Sequence, residues 1–353
     1  KFCFKLSEVQ LVSDLSKFTP ERETLLTIGV FDGVHLGHRH LIRKLTQRAA
    51  EGNFLSGVVT FNSNPKAVLS PRTKLARLTT LEERASLLKS LGVDLVVPIT
   101  FTTDVAALSA REFVLYLKKY LKLRGLVIGP NFALGRGREG NAATLQSLGQ
   151  ELGFTVEVVK PLRVEDTLVS STAVREALAR GDMKTTTRLL GRYFSLRGTV
   201  GGGAERGHVL GFPTANIQVE PEQALPEDGV YATLAHVDDK VYQSVANIGV
   251  KPTFGRGERT VEVHILDFTG DLYGRKLTIE LVERLRAEVK FASPEELAAQ
   301  IEQDVEQAKT IFKHGVSTRE SAEGIHPSAR GLGVSPKPKI PQDWGIKGVE
   351  KCC

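Results

Sequence analysis

The chain has 353 residues, of which 41% are hydrophobic and 25% charged, with a formal net charge of +6. That length carries two domains with cores of their own, and the composition is that of an ordinary globular chain. The mild positive charge suits anionic ligands such as nucleotides; no basic run is dense enough for a DNA or RNA groove, and no apolar run approaches a membrane span.

The three cysteines, Cys3, Cys352 and Cys353, offer neither a disulfide framework nor metal-ligand spacing. That usage fits a reducing compartment, and the N-terminus has no secretory pattern, so a cytoplasmic location is expected. The chain begins at Lys1 rather than Met, which leaves its true N-terminus open.

In the first half, short apolar runs alternate with helical patterns. Leu25–Phe31, Leu55–Phe61, Val93–Ile99, Gly125–Gly129 and Thr155–Val159 read as buried strands. Between them, Leu41, Ile42, Leu45 and Ala49 share one helical face, as do Leu81, Ala85, Leu88 and Leu91. This alternation predicts an α/β fold with a parallel sheet covered on both faces, and ligands in such sheets sit at the carboxyl ends of the strands. After about Leu190 the period changes to two. Val261, Val263 and Ile265 fall on one face of Thr260–Phe268, with Glu262 and His264 on the other, and Lys276–Leu285 alternates in the same way. Antiparallel structure in a small barrel is expected there. A final helix follows, with Ser293 as N-cap, Pro294 in its first position, Glu296 in its third, and an apolar face of Leu297, Ile301, Val305 and Ala308. From about His314 periodicity is lost among Pro, Gly, Ser and Lys, and this stretch, which holds the only tryptophan, Trp344, reads as a disordered tail.

Five places carry candidate chemistry. "GVFDGVHLGH" (Gly29–His38) leaves a strand through Gly29, Gly33 and Gly37 and enters a helix with His35 and His38 three residues apart. Glycines permit close backbone approach, and a helix N-terminus offers free N–H groups to an anion. H-x-G-H at a strand-to-helix turn of a parallel sheet favours a phosphate site over a glycine turn with incidental histidines; His40 reads as solvent-facing. "VIGPNFALGRGREG" (Val127–Gly140) borders the same sheet edge and offers Asn131, Arg136 and Arg138. In "SSTAVREALARGD" (Ser170–Asp182), Ser170 or Ser171 caps a helix, and its hydroxyls and Arg175 could also reach phosphate. "ERGHVLGFPTANI" (Glu205–Ile217) lacks the Gly-Lys-Ser/Thr of a P-loop; Thr214 and Asn216 around the turn at Pro213 could hold Mg²⁺ and phosphate oxygens, or the segment is an ordinary turn. Glu262 is a solvated strand residue or, if it faces a cleft, a general base.

Taken together and in this order, these motifs resemble the bacterial bifunctional riboflavin kinase/FMN adenylyltransferase, or FAD synthetase, family, from about Leu11 to Phe312. "GVFDGVHLGH", "SSTAVR", "GFPTAN", "NIGVKPTF" and "EVHILDFTGDLYG" carry the resemblance jointly. It implies a Rossmann-like nucleotidyltransferase domain over 1–187 and a β-barrel riboflavin kinase domain over 188–313; the tail over 314–353 lies outside the similarity. It implies two ATP- and Mg²⁺-dependent reactions: phosphorylation of riboflavin to FMN, and AMP transfer to FMN giving FAD and pyrophosphate. By motif match, His35 and His38 would bind ATP phosphates and stabilise developing charge, within a site of Gly29, Phe31, Asp32, Gly33, Gly37, Asn131, Ser171, Thr172 and Arg175. In the kinase, Thr214 and Asn216 would hold Mg²⁺ and phosphates, Arg206, Gly211, Pro213 and Asn247 would contact ATP or flavin, and Glu262 would be the base. Small-molecule substrates are the expected partners, without nucleic acid or membrane.

One stretch departs from the family pattern. Where Phe-Asp-Pro-His-Pro is usual, this chain has "FNSNP" (Phe61–Pro65), so Asn62 and Asn64 replace an acid and a histidine and carry no charge. That motivates a second reading, riboflavin kinase with weak or lost adenylyl transfer. A third, a flavin- or nucleotide-binding regulator, implies losses at catalytic positions, yet His35, His38, Thr214, Asn216 and Glu262 are all present.

Overall fold

The computed structural model describes residues 6–70, 75–202, 211–250 and 259–315. The tail with Trp344, expected to be disordered, lies outside the described residues.

The strands of the first half are β1 (Thr24–Ile28), β2 (Leu55–Phe61), β3 (Leu95–Ile99), β4 (Leu123–Ile128), the short hairpin β5 and β6 (Ala133–Leu134, Gly140–Asn141), β7 (Thr155–Val158) and the hairpin β8 and β9 (Arg163–Val164, Thr167–Leu168). Five of them form one parallel sheet in the order β3-β2-β1-β4-β7. The chain winds outward from β1 through β2 to β3, then returns to the other side of β1 with β4. The carboxyl end of β1 is therefore the topological switch point, where such sheets bind ligands.

Helices cover both faces, as the near-continuous apolar strands require. One face packs Leu26, Val59 and Leu126 against α1 (Leu6–Ser16), α6 (Ala110–Leu121) and α7 (Ala142–Leu152) through Leu11, Leu117 and Leu145. The other packs Leu25, Val58 and Val127 against α2 (Leu36–Glu51) and α4 (Leu81–Ser90) through Ile42, Leu45 and Leu88. Two single-turn helices, α3 (Pro65–Leu69) and α5 (Thr103–Ala107), follow β2 and β3. The expected first strand runs past its true end. It stops at Ile28, because Phe31 (φ 51°), Gly33 (φ 82°) and Val34 (φ 39°) turn the backbone left-handed. A left-handed β-branched residue is costly and marks an over-determined turn.

The helices α8 (Ser171–Ala179) and α9 (Met183–Leu190) lead into the second half. The divide expected at 187/188 falls inside α9, whose Met183, Leu189 and Leu190 join the same apolar cluster as the barrel core. The strands β10 (Phe194–Gly201), β11 (Ala215–Gln218), β12 (Gly229–Val237), β13 (Lys240–Val250), β14 (Arg259–Ile265) and β15 (Lys276–Arg286) close into an antiparallel barrel, in the order β10-β11-β14-β13-β12-β15. Closure leaves no unpaired strand edge. Phe194, Leu196, Ile217, Ala246, Ile248, Val261, Val263 and Ile279 fill it.

The helix α10 (Pro294–Gly315) lies on the barrel, its Ala308 and Phe312 against Val230, Ala232 and Val245. Its start has the expected N-cap, Ser293, with Pro294 first and Glu296 third. Ser293 Oγ accepts from the Glu296 N–H at 3.2 Å, while the Glu296 carboxylate accepts from the Ala292 N–H at 3.0 Å. The buried Asp304 accepts three bonds of 2.9, 3.2 and 2.8 Å from the Arg286 guanidinium, tying α10 to β15. No helix among the described residues is long and apolar enough to cross a membrane.

Candidate active sites

The first constellation is the turn after β1. His35 is the N-cap of α2, and its Nδ1 accepts from the His38 backbone N–H at 3.3 Å. An accepting Nδ1 places the imidazole proton on Nε2, so His35 has a donor left for a ligand. The His38 ring stacks on it with centroids 3.6 Å apart, and Phe31 meets His38 edge-on at 5.0 Å. Gly37 makes this stack possible: a Cβ there would sit 3.1 Å from the Val169 carbonyl and 3.2 Å from the His35 ring. Gly29 stands close to the Phe31 ring in the same way, at 3.0 Å.

Both imidazoles are neutral at pH 7. Burial lowers the His35 pKa to about 4, against the pull of Asp32 and helped by Arg175 and Arg192. Burial, then His35 and Arg84, hold His38 well below the ordinary histidine range. This pair makes stability depend on pH. The unfolded chain protonates its histidines near pH 6.5 and the fold resists doing so, so stability is full above about pH 6.5 and falls as pH drops toward 4. His35→Asn keeps an N-cap without the titration. The melting temperature of this variant is expected to fall less than that of the native chain between pH 6.5 and 4, and equal slopes in a thermal melt would refute the assignment.

Asp32 is turned inward. Its buried carboxylate accepts from the Leu78 N–H (3.0 and 3.1 Å), the Thr79 N–H (3.0 Å), the Thr79 hydroxyl (3.2 Å) and Arg175. Thr79 Oγ1 in turn accepts from the Gly33 N–H at 3.0 Å. The carboxylate therefore pins 78–79 and the glycine turn together. Arg175 also donates to the Ala76 carbonyl at 2.7 Å, and Ser171 Oγ donates to the Asp32 carbonyl at 2.9 Å. Ser170 is the residue that caps α8, accepting from the Ala173 N–H at 3.2 Å, and Thr172 is exposed. Asn131 is exposed beyond the end of β4, where Arg138 Nη2 donates to its carbonyl at 3.2 Å.

The FNSNP departure has local structural roles. Asn64 caps α3, accepting from the Lys66 N–H at 3.0 Å ahead of Pro65, and Asn62 Nδ2 donates to Thr100 Oγ1 at 3.1 Å. Neither residue brings charge to the end of β2.

The second constellation lies on the barrel. Asn216 of β11, Glu262 of β14 and Asn247 of β13 are in register across three neighbouring strands. Their chain neighbours Ile217, Val261, Val263, Ala246 and Ile248 fill the core, so this row lines the opposite face, half-buried. Thr214 precedes β11 by one residue and is exposed, as are Gly211 (φ 84°) and Pro213. Arg206 and residues 251–254, the second half of the NIGVKPTF motif, lie outside the described residues.

Four residues at these sites were not singled out from the sequence. Arg84 is buried at the end of β2, and Arg192 Nη1 donates to the Gly33 carbonyl at 2.9 Å. Thr79 holds the turn as described. His264 Nδ1 donates to the Pro213 carbonyl at 2.9 Å and packs edge-on against Phe212, fixing the GFPT segment beside β14. Arg84 had a visible signal: it lies within the apolar stripe of Leu81, Ala85 and Leu88, where a charge is out of place. Thr79 and Arg192 act through contacts distant in sequence and had none.

Comparison with known proteins matches residues 17–173 to the FAD synthetase family model and 190–312 to that of riboflavin kinase. The bifunctional riboflavin kinase/FMN adenylyltransferase of Pseudomonas fluorescens is 41% identical over 86% of this chain and 98% of its own length. That of Listeria monocytogenes is 34% identical over 82% and 92%. A crystal structure described as a macrolide-efflux protein from Streptococcus pneumoniae shares the fold, with a TM-score of 0.78 and 29% identity over 86% of this chain and 97% of that one. With both domain models in order and relatives aligned over nearly their whole length, the chain belongs to the bifunctional riboflavin kinase/FMN adenylyltransferase family.

Proposed function

We propose that this chain phosphorylates riboflavin with ATP on the barrel, giving FMN and ADP, and transfers AMP from ATP to FMN at the sheet edge, giving FAD and pyrophosphate. The observation that carries this reading is that the two motif sets fold into two separate constellations, each suited to one reaction.

Adenylyl transfer needs no nucleophile from the protein, because an FMN phosphate oxygen attacks the α-phosphorus. The protein aligns two anions and stabilises charge at the α-phosphate and the departing pyrophosphate. Neutral histidines suit this: His35 offers Nε2–H, the first turn of α2 offers backbone N–H groups, and neither imidazole loses a proton. Asn131, Thr172 and Arg175 border the same strand ends, while Asp32, Thr79 and Ser171 hold the turn in shape.

In the kinase, Glu262 takes the proton of the riboflavin 5′-hydroxyl as its oxygen attacks the γ-phosphorus and ADP leaves. Gly211, Pro213 and Asn247 contact the nucleotide or flavin from either side of Glu262. Thr214 and Asn216 supply hard, uncharged oxygens, a donor set that suits Mg²⁺ carried in on ATP phosphates with its remaining positions on phosphate and water. No cluster of three or more His, Cys, Asp or Glu among the described residues forms a separate metal centre. When bound, Mg²⁺ neutralises phosphate charge. The test is incubation with riboflavin, ATP and Mg²⁺, with FMN and FAD separated by chromatography; both products are expected, and the absence of either removes the corresponding half of the reading.

A further inference from the structure

Among the described residues, Arg84 is the only lysine or arginine that is buried outright, at 2% exposure. It projects from α4 to the carboxyl end of β2, where Nη1 donates to Thr60 Oγ1 at 3.2 Å and to the Phe61 carbonyl at 3.0 Å. Thr60 Oγ1 in turn donates to the Val30 carbonyl at 3.1 Å, which places the guanidinium against the turn that carries His35 and His38. Both hydrogen bonds come from Nη1. Nε is buried and has no partner. No carboxylate among the described residues pairs with Arg84, and the chain beyond Phe61 presents the amides Asn62 and Asn64. Of the two acids whose charge acts on Arg84, Asp32 is committed to Arg175, Leu78 and Thr79, and Glu83 to Ser195 and Arg192.

A buried guanidinium with a free edge and no counter-charge is costly unless something anionic completes it. Its Nε side is the edge that grips an oxyanion, and Nη1 is already fixed to the strand. A second buried polar atom without a partner, His38 Nδ1, belongs to the same turn, and Arg84 lies close enough to help hold His38 neutral.

We propose that Arg84 is a further substrate-binding residue of the adenylyl-transfer site, its Nε edge taking a phosphate oxygen of a substrate at the end of β2. This rests on the adenylyltransferase reading above. The phosphate belongs either to ATP or to FMN, and kinetics tell the two apart.

The test uses the full chain with Arg84→Gln and Arg84→Lys, measuring FAD formation while ATP and FMN are varied separately. FMN formation from riboflavin in the same preparations controls for folding. Arg84→Gln is expected to raise the KM of one substrate by about tenfold or more, the scale of one lost charge-assisted bond, with a smaller change in kcat and native FMN formation. A raised KM for ATP assigns the contact to the triphosphate, and a raised KM for FMN assigns it to the flavin phosphate. Arg84→Lys keeps the charge and loses the fork, so an intermediate KM is expected. Unchanged KM values in Arg84→Lys would overturn the proposal even if Arg84→Gln failed to fold, and parallel loss of both activities without a KM shift would mark Arg84 as structural. If the native chain forms no FAD, calorimetric titration with inorganic pyrophosphate and with FMN still decides the point. FMN is expected at the barrel as well, so its titration is read as sites per chain: loss of one FMN site, or of pyrophosphate binding, in Arg84→Gln supports the site, and unchanged binding of both ligands refutes it.

Discussion

Replacing Glu262 by Gln is expected to stop FMN formation from riboflavin while conversion of added FMN to FAD continues near its native rate. Glu262 stands between Asn216 and Asn247 across three paired strands, and its chain neighbours Val261 and Val263 anchor β14 in the core. Gln fills the same volume and keeps hydrogen-bonding capacity, so the strand register survives. It cannot hold the hydroxyl proton. Removing a general base costs about 10²–10⁴-fold in rate, and the loss is expected in kcat more than in KM. The adenylyl constellation sits on another sheet and uses none of these residues. Equal loss of both activities would mean that Glu262 supports the whole fold and is not the base.

Replacing Asp32 by Ala is expected to have the largest structural effect at the other site. The carboxylate is buried and holds the Leu78 and Thr79 N–H groups, the Thr79 hydroxyl and Arg175. Its removal strands a half-buried guanidinium and two backbone donors. Breaking one side of a buried ion pair costs about 3–5 kcal/mol, which for a chain of this size lowers the melting temperature by roughly 5 °C. Thr79 also loses its tether, and with it the bond that positions the Gly33 N–H. FAD formation is expected to collapse, while FMN formation persists below the lowered melting point. A native melt with native FAD formation would show that Asp32 does not hold the turn.

These two residues also show how much the sequence disclosed. Periodicity alone separates the parallel sheet from the barrel, because β1 to β4 read as unbroken apolar runs while Val261, Val263 and Ile265 alternate with polar residues. The start of α10 was legible for a local reason: Ser293, Pro294 and Glu296 act within one turn. The candidate residues were legible as motifs, but not in their local tasks. Asp32 stands in a ligand-like motif and bonds to residues 46 and 47 positions away. His35 serves as a helix cap as well as a candidate donor, which only the path of the turn shows. The apolar run carries the strand pattern on to Phe31, since nothing in its periodicity signals three left-handed residues. Arg192 and Thr79 act entirely through tertiary contacts, and nothing near them in the chain marks them. Asn62 and Asn64, which stood out as missing charges, have a hydrogen bond and a helix cap as their local roles.

The central claim is that one chain cuts ATP at two different phosphorus atoms in two places. Incubation of the chain with riboflavin, Mg²⁺ and ATP carrying isotope at either the γ- or the α-phosphate tests it most directly. The γ-label is expected in FMN and again in FAD, and the α-label in FAD alone. Label from γ in FMN with no α-label in any flavin, or no label in flavin at all, would contradict the account.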